Sequence, residues 1–403
     1  MTLMRDVFVA GGMPSITYVD RAALSLEKNL KAEISEGYKV ISVTGPTKSG
    51  KTVLTRHVLG KDKSALVNGG QVESSEEFWT LLLQDLNLPD SESGTSGSEE
   101  SAGIRYLLMA QSKISEGNTQ TFSNKNKRTI LNYLREQQKA LVVDDFHYMP
   151  ASVQREIVRA LKSEVFDGLV AVLIAVPHRA FDAIGVEREM EGRFANVQIP
   201  SWSEDELQQI STMGFRELRM NVDENCRAEF AKESNGSPLL MQRFCNRLCS
   251  HYQLEKTLPS IKSFNPSDEA KTEIFKDVSQ QFGFPTFEKL SKGPQSRSKR
   301  IDRRLANGEG ILDIYQAVLR AIASTGPKEK ISYNEIREAL RVILIEGDVP
   351  QKHEISSALG HMSGIAKDQI QGEPVLEWAD DILYLTDPFL MFYMRWSQRD
   401  PKK

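Results

Sequence analysis

The sequence predicts an α/β fold: a parallel sheet sandwiched between helices, followed by a helical segment and a small helix-and-hairpin module. Three observations carry that expectation. Short apolar runs alternate with amphipathic stretches through the first half of the chain, as in a parallel sheet flanked by helices. One of those runs leads directly into a glycine-bearing loop. After Ser203 the spacing of apolar residues becomes helical, to about Gln253.

Val40-Ile41-Ser42-Val43 reads as the first strand and Ala65-Leu66-Val67 as a weaker one. Ala140 to Val143 and Leu169 to Val176 are continuous apolar runs, which suits strands covered on both faces. Val197 to Pro200 is expected to complete the sheet. Helical spacing fills Glu76 to Leu86, Lys127 to Gln138 and Ser152 to Leu161. Asp90 to Gly103 is small, polar and acidic, the composition of a flexible surface insertion. Ser203-Glu204-Asp205-Glu206 is a capping-box sequence that opens a helical region running to about Gln253. A polar, proline-containing connection from Leu258 to Gly310 holds one helix, Asp268 to Phe282. Three helices are then expected at Ile311 to Ala323, Asn334 to Leu344 and Lys352 to Lys367. A hairpin follows, Pro374 to Trp378 and Ile382 to Leu385 around Ala379-Asp380-Asp381, and together they make a winged-helix pattern.

The chain of 403 residues suits two or three domains. With 51 Lys and Arg against 55 Asp and Glu, a net charge of −4 gives no global attraction to nucleic acid or an anionic surface. Cys226, Cys245 and Cys249 are too few and too sparse for a disulfide framework; they read as core thiols in a reducing compartment. The N-terminal stretch lacks the pattern of a signal peptide or anchor, and no later run approaches the roughly 18 apolar residues of a spanning helix. A cytoplasmic protein is expected.

The chemistry is concentrated in Gly45-Pro46-Thr47-Lys48-Ser49-Gly50-Lys51-Thr52, which satisfies G-x-x-x-x-G-K-[ST] between a strand and a helix. Glycines let main-chain N–H groups curl around a phosphate, and the following helix points its positive end at the same anion. In that arrangement Lys51 reaches the β- and γ-phosphates and the Thr52 hydroxyl ligates magnesium. Asp144, at the tip of Ala140 to Val143, stands where a Walker B acid holds magnesium, and Asp145 where a base orients water. Asp is shorter than the Glu of vigorous ATPases, so turnover is expected to be slow. His147 is read as packing locally. ATP and Mg2+ are the expected cofactors, and the fold class becomes an α/β P-loop NTPase, three-layered around a parallel sheet. Two arginines complete the candidate catalytic set. Arg179 lies just after the long apolar run, where a γ-phosphate sensor belongs; Arg193 precedes the last strand, where an arginine finger would act in cis or in trans.

Gly45 to Thr52, Asp144-Asp145, Gly192-Arg193-Phe194 and Gly236-Ser237-Pro238 occur in the order found in AAA+-related ATPases. The chain most resembles STAND signalling ATPases and the archaeal-type ATPases close to origin-recognition initiators. Its Tyr384 to Leu390 and Phe392 to Trp396 are similar to the end of the winged helix in those families. The resemblance implies that Pro238 packs on the nucleotide base and that the segment Tyr18-Val19-Asp20-Arg21 lies beside the adenine. It further implies a core at residues 1–202, a helical lid at 203–258, a basic connection at 259–309 and a winged helix at 310–403. Two departures stand out: Pro177-His178-Arg179 replaces the usual sensor residues, and Pro238 stands where initiators carry an arginine.

By the same resemblance, the expected function is a nucleotide-dependent switch that binds and slowly hydrolyses ATP, in a bacterial defence or mobile-element setting. Its expected partners are further copies of itself and a separate effector protein. The alternative is an ATP-regulated DNA-binding protein of initiator or transposition-regulator type. For DNA, the candidate surfaces are Lys289 to Arg304 and the winged helix, although Glu373, Glu377, Asp380 and Asp381 on the wing would repel phosphates. Whether the basic stretch grips an acidic partner or is a solvated linker is open at this level.

Overall fold

The computed structural model describes residues 1–88, 122–176, 193–281, 285–295, 299–308, 310–370 and 374–397. The acidic stretch Asp90 to Gly103 and Arg179 lie outside them. The chain divides into two compact units. One comprises Asp20–Pro46 and Gly50–Pro200; the other comprises Met1–Val19, Thr47–Ser49 and Ser201–Lys403. We call them the nucleotide-fold unit and the C-terminal unit.

The nucleotide-fold unit is built on five parallel strands: β1 Val40–Thr44, β2 Ser64–Asn68, β3 Ala140–Asp144, β4 Ala171–Ala175 and β5 Phe194–Gln198. Their order is β2-β3-β4-β1-β5, so β4 separates the two strands that carry the sequence motifs. Strand alternation sorts the apolar side chains into two cores. Val40, Leu141, Val143, Ala171, Leu173 and Ala175 pack beneath helices Ser75–Asp85, Phe122–Glu136 and Ala151–Phe166. Ile41, Val43, Val142, Val172, Ile174 and Val197 pack beneath Leu26–Glu36 (α1) and Lys51–Leu59 (α2). This three-layer sandwich is the α/β fold expected, although the last strand begins at Phe194 rather than Val197. Because all strands are parallel, Thr44, Asn68, Asp144, Ala175 and Gln198 share one edge, the carboxyl edge where ligands of such sheets bind.

The C-terminal unit holds two cores joined by one helix. Helices Glu204–Glu217, Glu224–Glu233 and Pro238–His251 form the first with Asp268–Gln280. Ser203 caps the first of these with the full capping box expected. Met220–Val222 and Lys262–Phe264 add a two-strand parallel pair that was not anticipated. The second core gathers helices Ile314–Ser324, Tyr333–Ile343 and Lys352–Asp368 around a three-stranded sheet of Lys330–Ser332, Ile382–Leu385 and Leu376–Ala379. The helix–helix–helix–hairpin order read from the sequence is therefore present. Its turn works because Asp380 and Asp381 both take left-handed backbone, φ 51 and 57. The first of these helices starts later than expected. Asp313 caps it in a capping box with Gln316, and Ile311–Leu312 instead pairs with Arg303–Arg304.

The last helix, Pro388–Trp396, belongs to both cores. Phe389, Phe392 and Trp396 enter the first, whereas Leu390, Met391 and Met394 enter the second. Phe392 stacks 5.0 Å from Phe244, and Trp396 lies 4.5 Å from Phe275. The join is also ionic. Glu233 is 5% exposed, accepts from Arg395 Nη2 at 2.6 Å and from Trp396 Nε1 at 2.7 Å. All three cysteines are buried, and burial pushes the Cys226 and Cys249 thiols up to about 12, as expected of inert core residues. Among the described residues no helix is long and apolar enough to cross a membrane.

Glu233→Ala would strand Arg395 without its counter-charge. Such losses cost about 3–5 kcal/mol, so chemical denaturation should show the unit's transition moved to clearly lower denaturant. An unchanged midpoint would mean that the ion pair does not hold the last helix in place.

Candidate functional site

The site grows out of the carboxyl edge of the sheet. The chain leaves β1 at Thr44 and must turn at once to start α2 at Lys51. Gly45 is required by space: a Cβ there would sit 2.5 Å from the Ile199 carbonyl oxygen. Gly50 is required by conformation, with φ 90, a left-handed value that L side chains rarely adopt. The turn thus brings main-chain amides and the start of a helix to one point. Lys51 is 8% exposed, and its ammonium donates to the Gly45 and Pro46 carbonyls at 3.0 and 2.7 Å, closing the loop.

Strand alternation explains how the second motif reaches the first. Val142 faces the α1–α2 layer, so Asp144, two residues on, projects to the same side of the sheet. There its Oδ2 accepts from the Thr52 hydroxyl at 2.7 Å. A hydroxyl and a carboxylate held together are hard oxygen donors of the kind magnesium takes, with phosphates and water supplying the remaining positions. Among the described residues no cluster of three or more His, Cys, Asp or Glu that could hold a metal ion is present.

Asp145 turns away on left-handed backbone, φ 52, and its amide donates to Asp144 Oδ1 at 3.0 Å. Burial, and then the neighbouring Asp144 charge, raises its carboxyl above the ordinary range; Lys51 pulls the other way. His147 is 5% exposed and stacks 4.2 Å from Tyr148, so it packs locally as expected.

Each remaining predicted residue has its own local setting. Arg21 is 6% exposed, and its guanidinium donates to the Pro200 carbonyl at 3.0 Å. Pro238 opens its helix behind the Ser237 cap in the C-terminal unit. Thr47, Lys48 and Ser49 group with that unit, where the Trp202 indole donates to the Ser49 carbonyl at 2.8 Å. Arg193 lies at the opposite edge of the sheet: its carbonyl accepts from Val40, the first residue of β1, and its guanidinium stacks 5.1 Å from the Phe166 ring. Five strand positions separate its level from Thr44, about 16 Å at 3.3 Å per residue.

Gly69, which sequence reasoning did not single out, supports the second motif. It follows β2, whose Asn68 pairs in register with Asp144, and a Cβ on it would lie 2.6 Å from the Asp145 carbonyl oxygen. The adjacent pair Gly69-Gly70 after a strand was the available signal.

Residues 34–183 match the family model described as AAA domain. Two solved structures share the fold over almost the whole chain. A Walker-type ATPase of Pyrococcus abyssi is 16% identical over 94% of this chain and 96% of its own, with a TM-score of 0.52. The ORC2 protein of Aeropyrum pernix, solved in ADPNP and ADP complexes, is 12% identical over 97% and 96%, with a TM-score of 0.51. No curated protein matches by sequence. The fold is that of an α/β P-loop NTPase, and residues 34–183 carry the match to an AAA domain. In fold the chain is similar to the archaeal Walker-type ATPase and ORC2 structures.

Gly69→Ala should press on the Asp144–Asp145 turn while leaving the phosphate loop alone. The expected outcome is nucleotide affinity within a few-fold of wild type and turnover at least tenfold slower, measured by phosphate release. Equal turnover would show that the close approach is incidental.

Proposed function

We propose that the chain is a nucleotide-dependent switch that binds ATP with magnesium and hydrolyses it slowly. The observation that carries this reading is the 2.7 Å bond from Thr52 to Asp144 beside a loop closed by buried Lys51. In the reaction, Lys51 neutralises charge on the β- and γ-phosphates, and Thr52 and Asp144 would hold magnesium, which would supply further charge neutralisation. Asp145 orients the attacking water, and its short side chain keeps turnover low. Pro238 and Arg21 are assigned to the base end of the nucleotide, by resemblance to lids of the STAND type. The output then passes to further copies or to a separate effector, in a defence or mobile-element setting.

Arg193 serves a neighbouring copy in this reading. About 16 Å of strand separates it from the level of its own phosphate loop, more than an arginine side chain spans.

The rival, an ATP-regulated DNA-binding protein of initiator or transposition-regulator type, has less support. Its basic candidates are largely spent on internal ion pairs. Arg300 binds Asp313, Arg303 binds Glu354, Arg304 binds Asp348 and Lys352 binds Asp381. In helix Lys352–Asp368, the candidate recognition helix of the winged-helix reading, His361 shares a 2.9 Å hydrogen bond with the Tyr315 hydroxyl. The stretch Lys289 to Arg304 is therefore knitted into the C-terminal unit at Arg300, Arg303 and Arg304 rather than solvated throughout.

Lys51→Ala should abolish ATP binding in calorimetry, and Asp145→Asn should keep binding but slow turnover about 10²-fold. Lys51→Ala with wild-type affinity would remove the basis of the proposal. Arg193→Ala should slow turnover on the order of 10³-fold, and mixing it with Lys51→Ala should restore part of the activity. Wild-type turnover by Arg193→Ala would contradict a role in trans.

A further inference from the structure

The phosphate loop contains a second lysine that the ATPase chemistry does not use. Lys48 sits at the loop's apex on left-handed backbone, φ 60. Its ammonium lies 3.0 and 2.9 Å from the two carboxylate oxygens of Asp387, and 3.9 Å from the centre of the Phe389 ring. The partners are 339 residues apart in sequence, and the Asp387 side chain is only 14% exposed. Asp387 is also the N-cap of the last helix: its Oδ1 accepts from the Phe389 and Leu390 amides at 2.7 and 3.4 Å. One carboxylate therefore serves two hosts, the helix that joins both cores of the C-terminal unit and the tip of the loop that meets phosphate.

We propose that Asp387 competes with nucleotide phosphates for Lys48, so that the Lys48–Asp387 pair is a latch opposed to ATP binding. This rests on the reading of Gly45 to Thr52 as a nucleotide site. A triphosphate carries three to four negative charges into the loop, where Lys48 is one of two cations. An Asp387 carboxylate fixed on that lysine both neutralises it and repels the incoming phosphates. The nucleotide that wins Lys48 must break two charge-assisted contacts and leave Asp387 holding only its helix cap. Linkage makes the effect reciprocal: whatever weakens the pair tightens ATP, and ATP weakens the pair to the same extent.

Asp387→Asn is the informative variant, because Asn caps helices as well as Asp and only the charge is removed. Magnesium-ATP affinity should rise at least about fivefold, the lower end of allosteric couplings. In a Lys48→Met background the same change should do little, since the competition has lost its prize. An equal rise in both backgrounds would reduce Asp387 to a general repulsive field, and no rise in either would overturn the latch. Lys51→Ala measured alongside separates the underlying reading. If wild type shows no Lys51-dependent binding but Asp387→Asn does, the latch stands and merely holds the site shut. If neither binds ATP, both the nucleotide site and the latch fail.

Discussion

The structure depends on one constraint: an acid on one strand must meet a hydroxyl on the helix that follows another strand, across the strand between them. β4 lies between β1 and β3, a gap of about 10 Å at ordinary strand spacing. Neither strand can close that gap. The turn Gly45 to Gly50 does, by carrying the chain from Thr44 over to Thr52, where the hydroxyl finds Asp144 at 2.7 Å. Each feature that makes the turn tight follows from this. Gly45 leaves room for Ile199, Gly50 supplies the left-handed residue, and the Lys51 ammonium holds the Gly45 and Pro46 carbonyls. The proposed chemistry uses the same groups, with phosphates replacing the carbonyls as partners of Lys51.

The C-terminal unit shows a different economy. Its two cores would be separate small domains if the last helix had a single apolar face. Instead that helix is apolar nearly all round, with Pro388 to Phe392, Met394 and Trp396 all buried. A helix of that kind has to be enclosed. Enclosing it fuses the two cores, and Glu233 fixes its end with Arg395 and Trp396. A movement imposed on one core is thereby imposed on the other.

Much of the nucleotide fold was legible because strands covered on both faces read as near-continuous apolar runs: Ala140 to Val143 is unbroken, and Val40 to Val43 is interrupted only by Ser42. The glycines and the lysine of the loop were legible because each answers a local steric or electrostatic demand. The order of the strands was not, since a parallel sheet is assembled by crossovers whose partners leave no local mark. Lys262-Ser263-Phe264 was missed as a strand because two of its three residues are polar and exposed. Arg300, Arg303 and Arg304 looked like a basic tract because Asp313, Asp348 and Glu354, which neutralise them, lie 13 to 51 residues away. Gly69 was passed over for a related reason: its role is to leave room for another segment's backbone, and an absent Cβ carries no signal of what it accommodates.

Metal dependence of nucleotide affinity tests the central claim most directly, because it isolates the Thr52–Asp144 pair from the rest of the loop. ATP affinity should be measured with and without magnesium for wild type and for Asp144→Asn. Wild type should bind ATP more tightly with the metal, and Asp144→Asn should lose most of that gain while keeping its metal-free affinity. An identical gain in both proteins would show that Asp144 does not steer the metal and would contradict the account.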